Sequence, residues 1–279
     1  MIARSYLYVP GDSGSRLERV AERGADAVIA DLEDGVAEAA KAAAVRAVRS
    51  WLSEPAGDGV RRWVRVNAGP RGLDDLRDVF GPGLFGICVP KVAGPAEVTA
   101  VVDALRACTG DGQPLAVMVI IETARALRRL DEIAAVPGLS MLQLGELDLA
   151  ADLGMTPGPD ELELLPARSA VVAASAAAGL LPPVAPVSPD FADLDRLART
   201  TAALKRLGFA GRAVIHPAQL AAVHEVFTPS PAEAENAADI LRRYDAALSQ
   251  GRGVAVDARG AMIDEAVARS CRRILELSR

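Results

Sequence analysis

Short apolar runs of strand length recur along this chain, separated by longer stretches with helical spacing. That alternation constrains the fold more than any other feature, because it specifies βα units rather than hairpins or bundles. Strand-like runs occupy residues 5–9, 27–30, 63–66, 85–89, 116–121, 141–144 and 213–215. A weaker run at 180–187 is interrupted by Pro182 and Pro183. Helical spacing fills 16–23, 37–52, 73–79, 95–107, 124–135, 168–178 and 194–207. Eight such units predict a (β/α)8 TIM barrel over residues 1–220, within the usual size of that fold. A doubly wound open sheet is the alternative. No Gly-x-Gly-x-x-Gly follows the first strand, which weighs against a dinucleotide-binding form of it. Residues 221–279 carry no strand period and are predicted as a C-terminal helical extension and lid: a helical pair over 218–250, an extended stretch over 251–260, and a final helix over 262–277.

Composition narrows the function. Thirty-one Lys and Arg against 37 Asp and Glu give a net charge of −6, the wrong sign for general nucleic-acid or anionic-membrane binding. The three cysteines, Cys88, Cys108 and Cys271, are unclustered, which excludes a disulfide framework. The first residues lack the apolar run of a signal peptide, and no apolar run is long enough to span a bilayer, so a cytoplasmic location is expected. Two histidines, His216 and His224, exclude a His-rich zinc site. A bound metal would need oxygen ligands, which points to Mg2+ or Mn2+.

Polar residues cluster just after the strand-like runs, where barrel enzymes build their active sites. Glu122 and Asp148 follow the fifth and sixth runs, close enough in a barrel to share one divalent ion. The competing reading is that each precedes a helix and complements its dipole. Arg65 sits within an apolar strand and needs a partner. It can pair with Glu33 or Asp34, or hold a carboxylate or enolate oxygen with its fork. Arg65 and Glu33 are the catalytic candidates at this rim, while at least one of Asp31, Glu33 and Asp34 serves as a plain salt bridge or cap. The turn Gly11–Arg16 opens a helix as phosphate-binding turns do, although most such turns bind nothing. Lys91, one of three lysines, is placed to reach a phosphate or a substrate carboxylate. His216 is expected to be packed and hydrogen-bonded, His224 to face solvent on a helix, and Cys88 to lie in the core.

The segments RSYLYVPGD, GADAVIADLEDGVAEAAKAAAVRAV, VRVNA, VPKV, IETARAL, LDLAADLG, LGFAGRAVIHPAQL and the late MID occur in that order. Together they resemble the citrate-lyase β-subunit-like group of the HpcH/HpaI aldolase superfamily, over essentially the whole chain. The resemblance implies a magnesium-dependent lyase that makes or breaks a carbon–carbon bond beside a thioester, releasing an acyl-CoA and a 2-keto acid. It implies metal ligation by Glu122 and Asp148, and contact of Arg65 with the keto-acid oxygen and developing enolate. The N–H groups of Gly145, Glu146 and Leu147 would seat the keto-acid carboxylate, and Arg16 and Lys91 would lie toward the thioester end or the rim. It also implies a homotrimer in which Asp264, on a neighbouring subunit's lid, acts in proton transfer. Two departures bear on substrate. Leu147 stands where the group often has Glu, with a Glu one position earlier, and Ser13 stands where many members carry Arg.

Overall fold

The computed structural model describes residues 2–56, 59–110, 112 and 114–278; Met1 and Arg279, the outer limits of the two predicted regions, lie outside them. The chain divides into two compact units, one spanning Ala3–Val223 and the other comprising residues 1–2 and His224–Arg279.

The first unit is built on a parallel sheet of seven strands. They are β1 (Ser5–Pro10), β2 (Ala27–Asp31), β3 (Arg61–Arg65), β4 (Gly86–Val89), β5 (Ala116–Ile121), β6 (Met141–Leu144) and β7 (Arg212–Val214). Their spatial order is β6-β5-β4-β3-β2-β1-β7. The eighth predicted strand therefore pairs beside the first, with Tyr6 opposite Ala213. Seven of the eight predicted strands form. The 180–187 run forms no strand. It contributes isolated parallel bridges, Val184 to Gln143 of β6 and Ala185 to Arg212 of β7. Pro182 and Pro183 lack N–H groups, so the run cannot extend a ladder.

Helices connect the strands: α1 (Gly14–Glu18), α2 (Lys41–Trp51), α3 (Pro70–Val79), α4 (Pro95–Thr109), α5 (Ala124–Arg128), α6 (Leu130–Ala134), α7 (Glu146–Leu153), α8 (Leu165–Ala177) and α9 (Leu194–Leu207). The continuous helix predicted over 124–135 is broken at Arg129, and α7 begins at Glu146 rather than after Asp148. Both faces of the strands are buried, which explains why they read as unbroken apolar runs.

Side chains alternate across a strand, and this parity positions the site. One face of the sheet gathers Tyr6, Ile29, Trp63, Cys88, Met118, Ile120, Met141 and Ala213 into a single core cluster. Trp63 is its largest buried side chain, edge-on to Tyr6 at 6.2 Å and tilted against Phe85 at 5.3 Å. Two residues further along the same strands, on the same face, stand Tyr8, Asp31, Arg65, Glu122 and Gln143. The apolar layer thus floors a polar one at the C-terminal strand ends.

The second unit packs α11 (Pro231–Ser249) on α12 (Glu265–Leu277), with α10 (Leu220–Phe227) leading in. A short hairpin pairs β8 (Ala255–Val256), in the stretch predicted as extended, with β9 (Met262–Ile263), which takes the first residues of the predicted final helix; it is closed by the Asp257 side chain accepting the Arg259 and Ala261 N–H groups. Tyr244, Ile263 and Ala268 form its core. His224 is half-buried in α10 rather than solvent-facing.

Candidate active site

A cavity of about 380 Å3 opens at the C-terminal ends of the strands. Tyr8, Asp31, Arg65, Glu122, Gln143, Gly145, Glu146, Leu147 and Asp148 are among its lining residues.

Arg65 ends β3 and is mostly buried. Its Nε and Nη2 donate to the two oxygens of Asp31 at 2.7 and 2.6 Å, and its Nη1 pairs with Glu33 Oε2 at 2.9 Å. Its guanidinium lies over the Tyr8 ring, 5.1 Å from the centroid. The bidentate partner is Asp31, because β2 and β3 run in register and place Asp31 directly opposite Arg65. Asp31 also accepts the Glu33 and Gly35 N–H groups, which shapes the loop after β2. The sequence-based pairing of Arg65 with Glu33 is present; Asp34 instead pairs with Lys91 at 2.7 Å.

Lys91 is the hinge of the site. Its ammonium bonds Glu33 and Asp34, while its backbone N–H donates to Glu122 Oε1 at 2.7 Å. Burial opposes the Lys91 charge, but the bonds from Asp34 and Glu33 outweigh it and raise its pKa. The residue is held at φ 51°, the left-handed region that non-glycine residues avoid. Burial pushes the Glu33 carboxyl up, against its bonds to Lys91 and Arg65. A further lysine, Lys41, is buried beneath this loop and donates to the Leu32 and Glu33 carbonyls at 2.9 and 3.0 Å.

Glu122 is 2% exposed. Burial first, then the nearby Asp148 charge, raise its pKa to about 7 against the Lys91 hydrogen bond. Glu122 precedes α5 but is not its cap: the next residue, Thr123, accepts the Ala126 N–H. Asp148 does not precede a helix but lies in the first turn of α7, two residues after Glu146. Gly145 permits the close approach of this turn to Glu122. A Cβ there would lie 2.6 Å from Glu122 Cβ and 2.8 Å from Oε2. No cluster of three or more His, Cys, Asp or Glu suited to a metal occurs among the described residues. Glu122 and Asp148 line the same cavity, and such a pair of carboxylates matches the donor set of Mg2+, which takes one or two protein carboxylates and completes its shell with water and substrate.

Residues 4–217 match the family model described as HpcH/HpaI aldolase/citrate lyase. The chain belongs to the HpcH/HpaI aldolase/citrate lyase family. It is 38% identical to a (3S)-malyl-CoA thioesterase of Cereibacter sphaeroides over 256 residues, 91% of this chain and 87% of that protein. It is 34% identical to an L-malyl-CoA/beta-methylmalyl-CoA lyase of the same species, covering 94% of this chain and 90% of the relative. The crystal structure of protein CitE from Mycobacterium tuberculosis, in complex with magnesium, acetoacetate and coenzyme A, superposes with a TM-score of 0.78. The two are 30% identical and cover 98% and 97% of each other.

Within this family frame, the fold brings Arg65, Glu33, Lys91, Glu122 and the Gly145–Asp148 turn together. Arg16 lies elsewhere on the same unit. It lines a second cavity of about 400 Å3 with Arg19, Arg23 and His216, and Tyr8, Pro10 and Ile215 line both cavities. The turn before α1 makes no side-chain cap, and α1 is only five residues long. Asp264 belongs to the second unit, where its side chain accepts the Val267 N–H and caps α12. Glu146 bonds Arg168 through both carboxylate oxygens, whereas Leu147 is exposed. His216 is exposed, stacks on Phe191 at 4.9 Å and caps the next turn through Nδ1. Cys88 is fully buried, and burial pushes its thiol up to about 12. Sequence reading did not single out Tyr8 and Gln143, whose side chains meet at 3.1 Å within the cavity lining. Strand parity with Arg65 and Glu122 is the signal that identifies them.

Proposed function

We propose that this protein is a magnesium-dependent carbon–carbon lyase that cleaves, or in reverse forms, a 3-hydroxyacyl-CoA, giving an acyl-CoA and a 2-keto acid. The observation that carries this reading is the single cavity lined by Glu122, Asp148 and Arg65. The magnesium named with CitE and the malyl-CoA esters named with the Cereibacter relatives support it. Glu122 and Asp148 would hold the ion, which when bound supplies Lewis acidity toward substrate oxygens. The substrate hydroxyl loses its proton, the C2–C3 bond breaks, and its electron pair passes to C2 beside the thioester while a carbonyl forms at C3. A proton then returns to C2. Three of the five Arg65 N–H groups are engaged by Asp31 and Glu33, so the remaining two can meet the negative charge as it grows. Glu33, held between Arg65 and Lys91, fixes the guanidinium rather than carrying a proton. The Gly145–Leu147 N–H groups seat the keto-acid carboxylate. The arginine-lined cavity beside the site suits the phosphates of coenzyme A, which gives Arg16 its role. Asp264, from a neighbouring copy in a homotrimer, returns the proton. In this reading the seven strands and the Val184–Ala185 bridges form an eight-unit barrel.

The test is a cleavage assay on malyl-, citramalyl-, β-methylmalyl- and citryl-CoA, with magnesium and with chelator, read by mass spectrometry. Chelator-sensitive release of a shorter acyl-CoA and a keto acid is the expected result. Free coenzyme A with an intact hydroxy acid would favour a second reading, thioester hydrolysis, which the 38% identity to a malyl-CoA thioesterase supports. No turnover of any ester would sink both in favour of a carrier-protein thioester or a silent binding role.

A further inference from the structure

We propose that Glu161 and Arg168 form a clamp that positions Asp148 for metal binding. The inference rests on the reading of Asp148 as a metal ligand. Asp148 lies in the first turn of α7, and its exposed side chain makes no hydrogen bond or ion pair among the described residues. Its position is therefore set by the turn that carries it. The N-cap of that turn is Gly145, which offers no capping side chain. Glu146, the first residue of α7, supplies the anchor instead.

Arg168 of α8 grips Glu146 with Nε to Oε1 at 2.5 Å and Nη2 to Oε2 at 2.8 Å. Its Nη2 also donates to Glu161 Oε2 at 2.7 Å, and Glu161 Oε1 accepts from Arg196 of α9 at 2.9 Å. The Arg168, Glu146 and Glu161 side chains are 8, 12 and 15% exposed. A bidentate pair so far withdrawn from water is stronger and more directional than a surface ion pair.

The backbone gives a second, independent indication. Glu161 is held at φ 56°, and Lys91 at φ 51°; they are the two non-glycine residues with positive φ among those described. Such conformations persist where the surroundings over-determine them and concentrate at functional sites. Lys91 holds Glu122 through its backbone N–H. Glu161 holds, through Arg168 and Glu146, the turn bearing Asp148. Each proposed ligand is thus tethered to one strained residue. The mechanical reason is that two like-charged carboxylates repel in the absence of a cation, and a loose α7 turn would let Asp148 swing away.

The experiment is isothermal titration of Mn2+ into the purified full-length chain and its variants, with thermal melts alongside. Asp148→Asn tests the metal reading: it must lose binding that the native chain shows. Glu161→Gly removes the carboxylate while accepting the positive φ without strain, so it is expected to retain the fold, which the melts check. Its Kd for Mn2+ is expected to rise about 10-fold, the scale for partners that orient a metal ligand. Glu146→Gln, which keeps the shape but not the charge, is expected to weaken binding in the same direction. If Asp148→Asn loses Mn2+ while both clamp variants bind within about twofold of native, the clamp is overturned and the metal reading stands. If the native chain binds no Mn2+, both fall.

Discussion

At the residue scale, the site depends on a few contacts with no slack. Gly145 lies so close to Glu122 that an added Cβ would fall 2.6 Å from the glutamate Cβ. Gly145→Ala is expected to destabilise the fold by about 1–3 kcal/mol through overpacking, measured by urea denaturation, and to weaken Mn2+ binding by displacing Glu122. Arg65 is equally specific. Arg65→Lys keeps the charge but loses the fork that spans both Asp31 oxygens. In the proposed lyase it should lower kcat by about 100-fold or more, the scale of losing one oriented donor at developing charge. Steady-state kinetics on the esters that turn over would check this, and an unchanged kcat would remove Arg65 from the chemistry. The individual candidates were visible in the sequence as charges at strand ends. Which acid Arg65 would choose was not. Glu33 and Asp34 read as equally good partners, and only the β2–β3 register places Asp31 opposite.

At the element scale, the inner face of the sheet rests on Trp63, which is 1% exposed and whose Nε1 has no hydrogen-bond partner. Trp63→Ala should cost about 3–5 kcal/mol through the cavity it leaves. Trp63→Phe should cost only about 1–2 kcal/mol, because it also removes a donor that is buried without a partner. Denaturant midpoints of the two variants decide it, and a Trp63→Phe loss as large as that of Trp63→Ala would show that refilling the space with a ring recovers no stability. The elements that sequence reading missed share a physical cause: they are too short or too interrupted for a period to show. The β8–β9 hairpin has two residues a side, and two prolines reduce the strand expected over 180–187 to bridges at Val184 and Ala185. Helix α7 starts immediately after Gly145, so its polar first turn reads as a loop.

At the scale of the whole molecule, a chain of net charge −6 carries a cavity lined by Arg16, Arg19 and Arg23 next to the carboxylate-lined one. The local field there opposes the global one and favours an anionic ligand. Arg16→Glu is therefore expected to raise KM for a CoA ester by about 5- to 10-fold with kcat nearly unchanged, consistent with a charge contact outside the reacting centre. An equal loss in kcat would place Arg16 in the chemistry instead. No helix among the described residues is long and apolar enough to cross a membrane.

The alternation of apolar runs, taken alone, determined the parallel α/β architecture, because strands buried on both faces must be apolar throughout and must be joined by crossover helices. It also determined which strand ends carry charge. Tertiary structure alone decided how those charges are shared: Asp31 to Arg65, Lys91 to Glu33 and Asp34, Glu146 to Arg168. Pairing of this kind depends on register, on burial and on two left-handed backbone positions. None of these is a property of a residue or its near neighbours, so each becomes defined only when segments distant in sequence meet.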